Sequence, residues 1–383
     1  MNDFIFSTPL NIYFGKNSVS KLPQILAGKT DKVMLVYGGG SVKRNGAYDR
    51  ITTTLKNAGI EYIDFGGNTN PWYGNVEKGV ELAKKENVGC VIGIGGSTCM
   101  DMAKIIAVGA KHDNLWDMLT GVVPVDGSED RLLIGAIPTF PSGGSEADAA
   151  AEIDNEKTGA HGSFYVYYPD FSILNPEFSY TLDPLSTAYG AMVTFIQASL
   201  NHMGGESAIS ERFTEGLLDV IRDSAETAIK DPTNYEARAN QMYASVHGTM
   251  GLIGLGKEMT WAYEMYDYSG IMRKVMGLAY RQGFTVIFPS WLKAEAKYHG
   301  EEVKKYLVRV WGVDDSLPTE EACEKGVQII KDYFVSLGIP MKYNAYGPLP
   351  TDEEMIAAVE REGMSDPLPM DEILAMFKDA MDL

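Results

Sequence analysis

The segment from Val91 to Lys104 constrains the fold of this chain more than any other stretch. An apolar run over residues 89–94 has the length and the bounding glycines of a buried strand. It ends in Gly95 and Gly96, and Ser97 then opens a segment with helical spacing. A strand, a glycine turn and a helix start with free N–H groups together form an arrangement that binds anions. A two-glycine turn is a weak motif, and an ordinary capped turn fits the same residues.

Two further segments of the same kind strengthen the prediction of a ligand site. Residues 32–37 form an apolar run that ends in residues 38–41, and residues 132–137 run into a loop over residues 138–146. Predicted strands alternate with predicted helices through about the first 180 residues, which indicates a parallel α/β sheet. Ligands of such sheets bind at the carboxyl ends of the strands. Three glycine- and hydroxyl-rich loops at such ends therefore predict one shared site.

The character of the sequence changes near Asp183 and Pro184. Helical patterns follow one another beyond this point without intervening strand patterns. The expected architecture is an α/β, Rossmann-like dinucleotide-binding domain over residues 1–181 and an all-helical domain over residues 182–383. We expect the active site in the cleft between them, because pockets are common at domain interfaces.

Composition excludes several classes of partner. The 383 residues carry a net charge of −19, which argues against nucleic acid and anionic membranes as partners. The three cysteines, Cys90, Cys99 and Cys323, form no metal or redox motif. No apolar run is long enough to span a membrane, and the first residues do not read as a signal peptide. We therefore expect a cytoplasmic protein that acts on a small molecule.

Several motifs, in order along nearly the whole chain, carry a resemblance to a known family. They are Val36-Tyr-Gly-Gly-Gly-Ser41, Gly95-Gly-Ser-Thr-Cys-Met-Asp-Met-Ala-Lys104, Ile137-Pro-Thr-Phe-Pro-Ser-Gly-Gly-Ser-Glu146, Leu174-Asn-Pro176, Thr187-Ala-Tyr-Gly190, Gly251-Leu-Ile-Gly254 and Gly283-Phe-Thr-Val-Ile-Phe-Pro289. The chain resembles the iron-containing (group III) alcohol dehydrogenases, especially the butanol dehydrogenase and broad-specificity aldehyde reductase branch. The resemblance implies the dehydroquinate synthase-like fold and an NAD(P)-dependent oxidoreductase.

The resemblance implies how the three loops share a dinucleotide. The first loop would face the adenine ribose, the second would hold the pyrophosphate, and Asp101 would lie near the nicotinamide. Thr139 and Ser142 of the third loop would lie along the adenosine or ribose side. The implied cofactor-binding residues are Gly38, Gly39, Gly40, Ser41, Gly95, Gly96, Ser97, Asp101, Thr139 and Ser142.

The first loop favours NADP(H) over NAD(H). A carboxylate usually binds the ribose 2′-hydroxyl of NAD and would repel a 2′-phosphate. Residues 38–43 contain glycines, Ser41 and Lys43, and no acid. Small, hydroxyl and cationic residues favour a phosphate at this position, although Lys43 also reads as a solvated surface side chain.

The sequence departs from the family at the implied metal site. Members of the family bind one divalent metal through an aspartate and three histidines, of which the first two are spaced four residues apart on one helix. These positions are Val193 and Gln197 here, and the fourth is Tyr280. The third falls at Glu264 when the count runs forward from Gly251-Leu-Ile-Gly254. It falls at Tyr266 when the count runs back from Gly283, and we prefer Glu264.

This donor set is poor for iron or zinc, which prefer imidazole and carboxylate ligands. We therefore expect no metal ligand in this chain and no retained family metal. Without a Lewis acid, hydrogen-bond donors must polarise a carbonyl that receives a hydride. The candidate catalytic residues are Tyr266, Tyr268, Tyr280 and Glu264, although an aromatic lining where the metal once lay explains the tyrosines equally well.

Three functional hypotheses follow. The first is an NADP(H)-dependent oxidoreductase that reduces an aldehyde, ketone or similar hydride acceptor without metal. The second is a metal-dependent alcohol dehydrogenase with a divergent ligand set that includes Glu264. The third is a non-catalytic NADP(H)-binding homologue. The resemblance also implies a homodimer, to which a strand within residues 3–14 would contribute.

Overall fold

The computed structural model describes residues 1–249, 251–257, 260–364 and 367–381. The chain divides into two compact units. The sheet unit contains Ser7–Leu182 and Pro232–Met250, and the helical unit contains Met1–Phe6, Asp183–Asp231 and Gly251–Leu383. The main division coincides with the change from alternating strands and helices to helices alone.

The sheet unit is built on six parallel strands with two more in a separate hairpin. The strands are β1 (Asn11–Phe14), β2 (Lys32–Tyr37), β3 (Glu61–Phe65), β4 (Cys90–Gly95), β5 (Leu133–Pro138), β6 (Ala150–Asp154), β7 (His161–Tyr165) and β8 (Phe171–Leu174). The order in the main sheet is β1-β8-β5-β4-β2-β3, and β6 pairs with β7 in an antiparallel hairpin. The predicted parallel sheet is confirmed, whereas the sequence did not predict the hairpin.

Helices cover both faces of this sheet. The helices of the sheet unit are α1 (Leu22–Leu26), α2 (Ser41–Arg44), α3 (Ala47–Asn57), α4 (Tyr73–Glu86), α5 (Ser97–Gly109), α6 (Leu115–Leu119) and α9 (Tyr235–Thr249). Alternate residues of β2 point to opposite faces, so Met34 packs with α4 and α5 while Leu35 packs with α1 and α3. Burial on both faces explains why these strands read as continuous apolar runs.

The helical unit contains no strand among its described residues. Its helices are α7 (Pro184–His202), α8 (Ala208–Lys230), α10 (Thr260–Met276), α11 (Tyr280–Trp311), α12 (Thr319–Ser336), α13 (Asp352–Glu362) and α14 (Met370–Met381). Asp183 caps α7 by accepting a hydrogen bond from the Ser186 N–H, with Pro184 at the first helical position. None of the helices described is both long and apolar enough to cross a membrane.

The structure corrects three expectations about the elements. The predicted strand over residues 3–14 is limited to β1, because Pro9 supplies no N–H for a ladder. In the sequence, residues 259–299 read as a single helical segment, whereas the described part of it, residues 260–299, belongs to two helices, since Gly277 ends α10 in a left-handed conformation (φ 66°). Helix α9, expected in the helical domain, groups with the sheet unit.

Candidate functional site

Three neighbouring strands of the sheet bring the three predicted loops to one edge. Strands β2, β4 and β5 are adjacent and parallel, so their carboxyl ends point the same way. Residues 38–41, 95–98 and 139–145 follow these ends directly. The third loop touches the second, because a Cβ added at Gly143 would lie 3.1 Å from the Ser97 Oγ. The fold therefore forms a single loop cluster from segments that are far apart in sequence.

Glycines make the turn between β4 and α5 possible. Gly95 has a φ of 143°, a conformation that residues with a Cβ rarely adopt. Gly93 packs directly against the helix, since a Cβ there would lie 2.6 Å from the carbonyl oxygen of Cys99. Ser97 is the first residue of α5, so the helix start, whose first N–H groups have no intrahelical acceptor, follows directly on the Gly95-Gly96 turn. The residues present fit a bound phosphate at this point.

Asp101, Ser145, Lys104 and Asp148 form a buried series of hydrogen-bonded side chains beside this helix start, called the polar chain below. The Ser145 hydroxyl donates a hydrogen bond of 2.5 Å to Asp101 Oδ1, and Lys104 Nζ donates one of 3.1 Å to Ser145 Oγ. Lys104 is fully buried and also donates to Asp148 Oδ1 at 3.0 Å. Burial raises the pKa of Asp101 to about 7, against the opposing effects of Lys104 and Ser145.

Two cations flank the first loop. The Lys43 ammonium lies 4.8 Å from the centre of the Tyr48 ring, and an Arg44 nitrogen would lie 3.1 Å from a Cβ added at Gly40. One carboxylate is also nearby, because the Tyr48 hydroxyl donates a hydrogen bond of 2.8 Å to Asp64. Asp64 is the penultimate residue of β3, which pairs with β2, and its position beside this loop could not be read from residues 38–43.

The third loop is anchored to α9. Ser245 of α9 donates a hydrogen bond of 2.5 Å to the buried carboxylate of Glu146. A Cβ at Gly144 would lie 2.7 Å from the Ser245 carbonyl oxygen. Thr139 and Ser142, both predicted cofactor contacts, are buried in the same loop. These contacts explain why α9 groups with the sheet unit.

The positions that the resemblance implies for the family's metal lie in the helical unit, and their side chains are poor ligands for iron or zinc. Val193 and Gln197 are both buried on α7, and Glu264 is buried on α10. Tyr280 is half-buried at the start of α11. In the described ranges, no three His, Cys, Asp or Glu side chains form a group that could hold a metal ion. The residues present do not fit the family's divalent metal.

The candidate tyrosines occupy two different environments. Tyr266 and Tyr280 both pack on Phe284, with ring-centre distances of 5.1 and 5.0 Å. Tyr268 is fully buried, packs against Phe377 and accepts a hydrogen bond of 2.9 Å from the Leu368 N–H. Tyr268 is therefore fully buried, whereas Tyr266 and Tyr280 are half-buried and both pack on the Phe284 ring.

Comparison with known proteins places the chain in a family. Residues 9–176 match the family model "Iron-containing alcohol dehydrogenase". Residues 191–381 match "Fe-containing alcohol dehydrogenase family, C-terminal". The chain belongs to the iron-containing alcohol dehydrogenase family. The resemblance inferred from the motifs is confirmed, and so is the fold that it implied.

Named relatives within this family use both nicotinamide cofactors. The chain is 31% identical to NADH-dependent butanol dehydrogenase B of Clostridium acetobutylicum, with 100% of each chain covered. It is 30% identical to the NADPH-dependent aldehyde reductase YqhD of Escherichia coli, covering 91% of this chain and 90% of the relative. The solved structure of NADH-dependent butanol dehydrogenase A from Thermotoga maritima superposes with a TM-score of 0.90 at 28% identity, covering 100% and 99% of the two chains. These relatives are oxidoreductases of alcohols and aldehydes.

The sequence analysis missed part of the polar chain in the sheet unit. It placed Asp101 in the cofactor site but assigned no role to Lys104, Ser145 or Asp148. The spacing of Asp101 and Lys104 by three residues on one helix is a visible signal that the two side chains share a face. The contribution of Ser145 and Asp148 depends on the loop after β5 folding back onto α5, which no local pattern indicates.

Proposed function

We propose that the protein is an NADPH-dependent reductase of an aldehyde or ketone that works without a divalent metal. The observation that carries this proposal is the contrast between the residues of the loop cluster and the residues at the positions implied for the family's metal. The loop cluster contains the glycines and hydroxyls over residues 38–41, 95–97 and 139–142 that the resemblance implies for a dinucleotide. The positions of the family's metal carry Val193, Gln197, Glu264 and Tyr280 instead.

The chain's own residues supply the roles that this reaction needs. The helix start at Ser97 would bind the pyrophosphate, and bound NADPH would supply the hydride. The hydroxyl groups of Tyr266 and Tyr280 are the proposed donors to the carbonyl oxygen, in place of a Lewis acid. Tyr268 is left out of this set because it is fully buried, whereas Tyr266 and Tyr280 are half-buried. We further propose a cytoplasmic homodimer that acts on small molecules.

Turnover in the presence of a chelator tests the metal-free mechanism. Purified protein is dialysed against EDTA, analysed for bound iron and zinc, and assayed for NADPH oxidation with straight-chain and aromatic aldehydes. We expect turnover at less than one metal per ten chains, roughly the level of adventitious binding. Activity that disappears with the metal and returns with Fe(II) or Zn(II) would instead support the divergent ligand set, and Glu264→Gln should then abolish both.

Cofactor preference is tested at Lys43. The side chains of Lys43 and Arg44 give the first loop the positive charge that a 2′-phosphate requires. We expect Lys43→Ala to lower kcat/KM for NADPH about tenfold, roughly one charge-assisted contact, and to leave that for NADH nearly unchanged. Lys56→Ala is the matched control, because Lys56 also lies over a tyrosine ring but belongs to α3, outside this loop.

Two other outcomes of the cofactor and turnover measurements would contradict parts of this proposal. Equal losses with both cofactors would show that Lys43 contributes no phosphate contact, and Asp64 would then become the residue to examine for NADH recognition. Tight NADPH binding with no turnover on any carbonyl would favour the non-catalytic homologue. Binding is measured separately by the quenching of protein fluorescence, so the two failures are distinguishable.

A further inference from the structure

The polar chain behind the dinucleotide site has a fixed direction. A lysine ammonium only donates hydrogen bonds, so Ser145 Oγ accepts from Lys104 and must use its own hydrogen for Asp101. Asp101 Oδ1 is therefore an acceptor. In the part of the chain that the structure describes, Oδ1 is the only oxygen of this carboxyl group with a hydrogen-bond partner. Oδ2 is left to exchange a proton with a ligand.

The hydrogen-bonded side chains behind the loop cluster include more carboxyl groups than cations. Lys104 contributes one positive charge and is fully buried, where it donates to Ser145, to Asp148 and to the Ala150 carbonyl at 2.6 Å. Two carboxyl groups, Asp101 and Asp148, share that single cation, and Glu152 of β6 adds a further negative charge. Burial raises the pKa of both Asp101 and Asp148. Lys104 bonds directly to Asp148 but reaches Asp101 only through Ser145, so Asp101 is the less well compensated carboxyl group and the one to which we assign the extra proton of the cluster.

Asp101 lies on the same face of α5 as Ser97, which begins the helix at the loop cluster. Asp101 lies four residues after Ser97, so both side chains share one face of the helix. The distance along the axis is one turn, roughly 6 Å. At the other end of this series of hydrogen-bonded side chains, the Asp148 side chain is 14% exposed and connects the buried Lys104 to solvent. A donor chain thus runs from solvent to the ligand face of the loop cluster.

We propose that Asp101 is the proton-exchanging group of this site, fed from solvent through Asp148, Lys104 and Ser145. This inference rests on the proposed carbonyl reduction. In that reaction the carbonyl carbon gains the hydride and the carbonyl oxygen takes the proton from Asp101. The Asp101 carboxylate takes the hydrogen of Ser145, Ser145 takes one from Lys104, and Lys104 recovers its proton from water through Asp148. The net consumption is one hydride and one proton per alcohol formed.

Infrared titration of the protein without substrate tests the location of the proton. A protonated carboxyl group has a C=O stretch that the carboxylate lacks, and Asp101→Asn identifies the band. We expect this band to titrate near pH 7 in the native protein. In Ser145→Ala its midpoint should rise by about one pH unit, because the lost hydrogen bond stabilised the carboxylate. Ser172→Ala, which removes another buried hydroxyl of the sheet unit, should leave it in place.

Turnover provides the second measurement. Ser145→Ala should lower kcat at pH 7 by about 10- to 100-fold, a typical contribution of proton transfer, with little change in KM for NADPH. Ser145→Thr keeps a hydroxyl and should restore much of the rate. An unchanged infrared midpoint in Ser145→Ala overturns the proposal, as does an unchanged kcat. If the native protein does not turn over any carbonyl, carbonyl reduction is refuted. The infrared midpoint of Ser145→Ala then tests by itself whether Ser145 controls the proton on Asp101.

Discussion

At the scale of single residues, the tyrosines of the helical unit show how one residue type serves different purposes. Tyr268 is fully buried and its hydroxyl satisfies the Leu368 N–H. Tyr280 is half-buried at the first position of α11, where its ring stacks on Phe284. The sequence presented both residues as equivalent candidates. Only their surroundings separate a fully buried tyrosine from one on a half-buried ring.

Removal of single hydroxyls should separate these roles. We expect Tyr280→Phe to lower kcat for carbonyl reduction about 10- to 100-fold, because one donor to the developing negative charge is lost. Tyr268→Phe should leave kcat near the native value and reduce the free energy of unfolding by about 1–2 kcal/mol, since the Leu368 N–H loses its acceptor. Steady-state kinetics and urea unfolding measure the two effects. A loss of kcat in Tyr268→Phe with none in Tyr280→Phe would indicate that Tyr268, and not Tyr280, contacts the substrate.

At the scale of elements, the contact between β4 and α5 determines the geometry of the loop cluster. Gly93 lets the helix approach the strand, as a Cβ there would lie 2.6 Å from the Cys99 carbonyl oxygen. That approach positions the helix start next to the glycine turn at Gly95 and Gly96. The glycines of this motif therefore have two separate functions, one in packing and one in leaving space for a ligand.

A substitution at this contact should reduce both stability and binding. Gly93→Ala forces the strand and the helix apart, and we expect a loss of about 2 kcal/mol in unfolding free energy together with weaker NADPH binding. Gly216→Ala on the exposed face of α8 is the control, since nothing lies within 4 Å of its Cβ position. That change should be neutral or stabilise by about 0.5–1 kcal/mol. Equal Tm values for the two variants would contradict this account.

At the scale of the whole molecule, charge links distant parts of each unit. In the helical unit, Asp379 of α14 accepts hydrogen bonds from Ser290 and Lys293 of α11 and from Lys331 of α12. The bonds from Lys331, Ser290 and Lys293 outweigh burial, which acts in the opposite direction, and lower the pKa of Asp379. A chain with a net charge of −19 thus places cations where a carboxylate joins three helices.

The pH dependence of unfolding tests this junction. A lowered folded pKa means that the stabilisation is fully present above the unfolded value near ~4 and is lost as the pH falls through the folded value. We expect Asp379→Asn to cost about 2 kcal/mol at pH 7, with a cost that shrinks below about pH 4. Glu324→Gln, an exposed change on α12, should have little effect. Urea unfolding at pH 7 and pH 3.5 measures the difference, and a cost independent of pH would rule out this role of the charge.

Local patterns in the sequence determined the class of fold and the location of the three loops that we propose bind the cofactor. Glycine turns after apolar runs depend on near neighbours in the chain, so residues 95–98 could be interpreted without the rest of the molecule. The same holds for Val193 and Gln197, which stand where the family motif has an aspartate and a histidine; only that motif is needed to see the difference. Helix starts such as Asp183-Pro184 are equally local, since the cap and its partner are three residues apart.

The tertiary structure alone decided which polar groups meet. Ser145 reaches Asp101 and Ser245 reaches Glu146 across 44 and 99 residues of chain. The hydrogen bond between Tyr268 and Leu368 spans 100 residues. Such pairings leave no periodic pattern in the sequence, because they depend on how loops and helices pack after the sheet has formed. The identities of the site's residues are therefore local information, whereas their partners, burial and proton affinities come from the packing of distant segments.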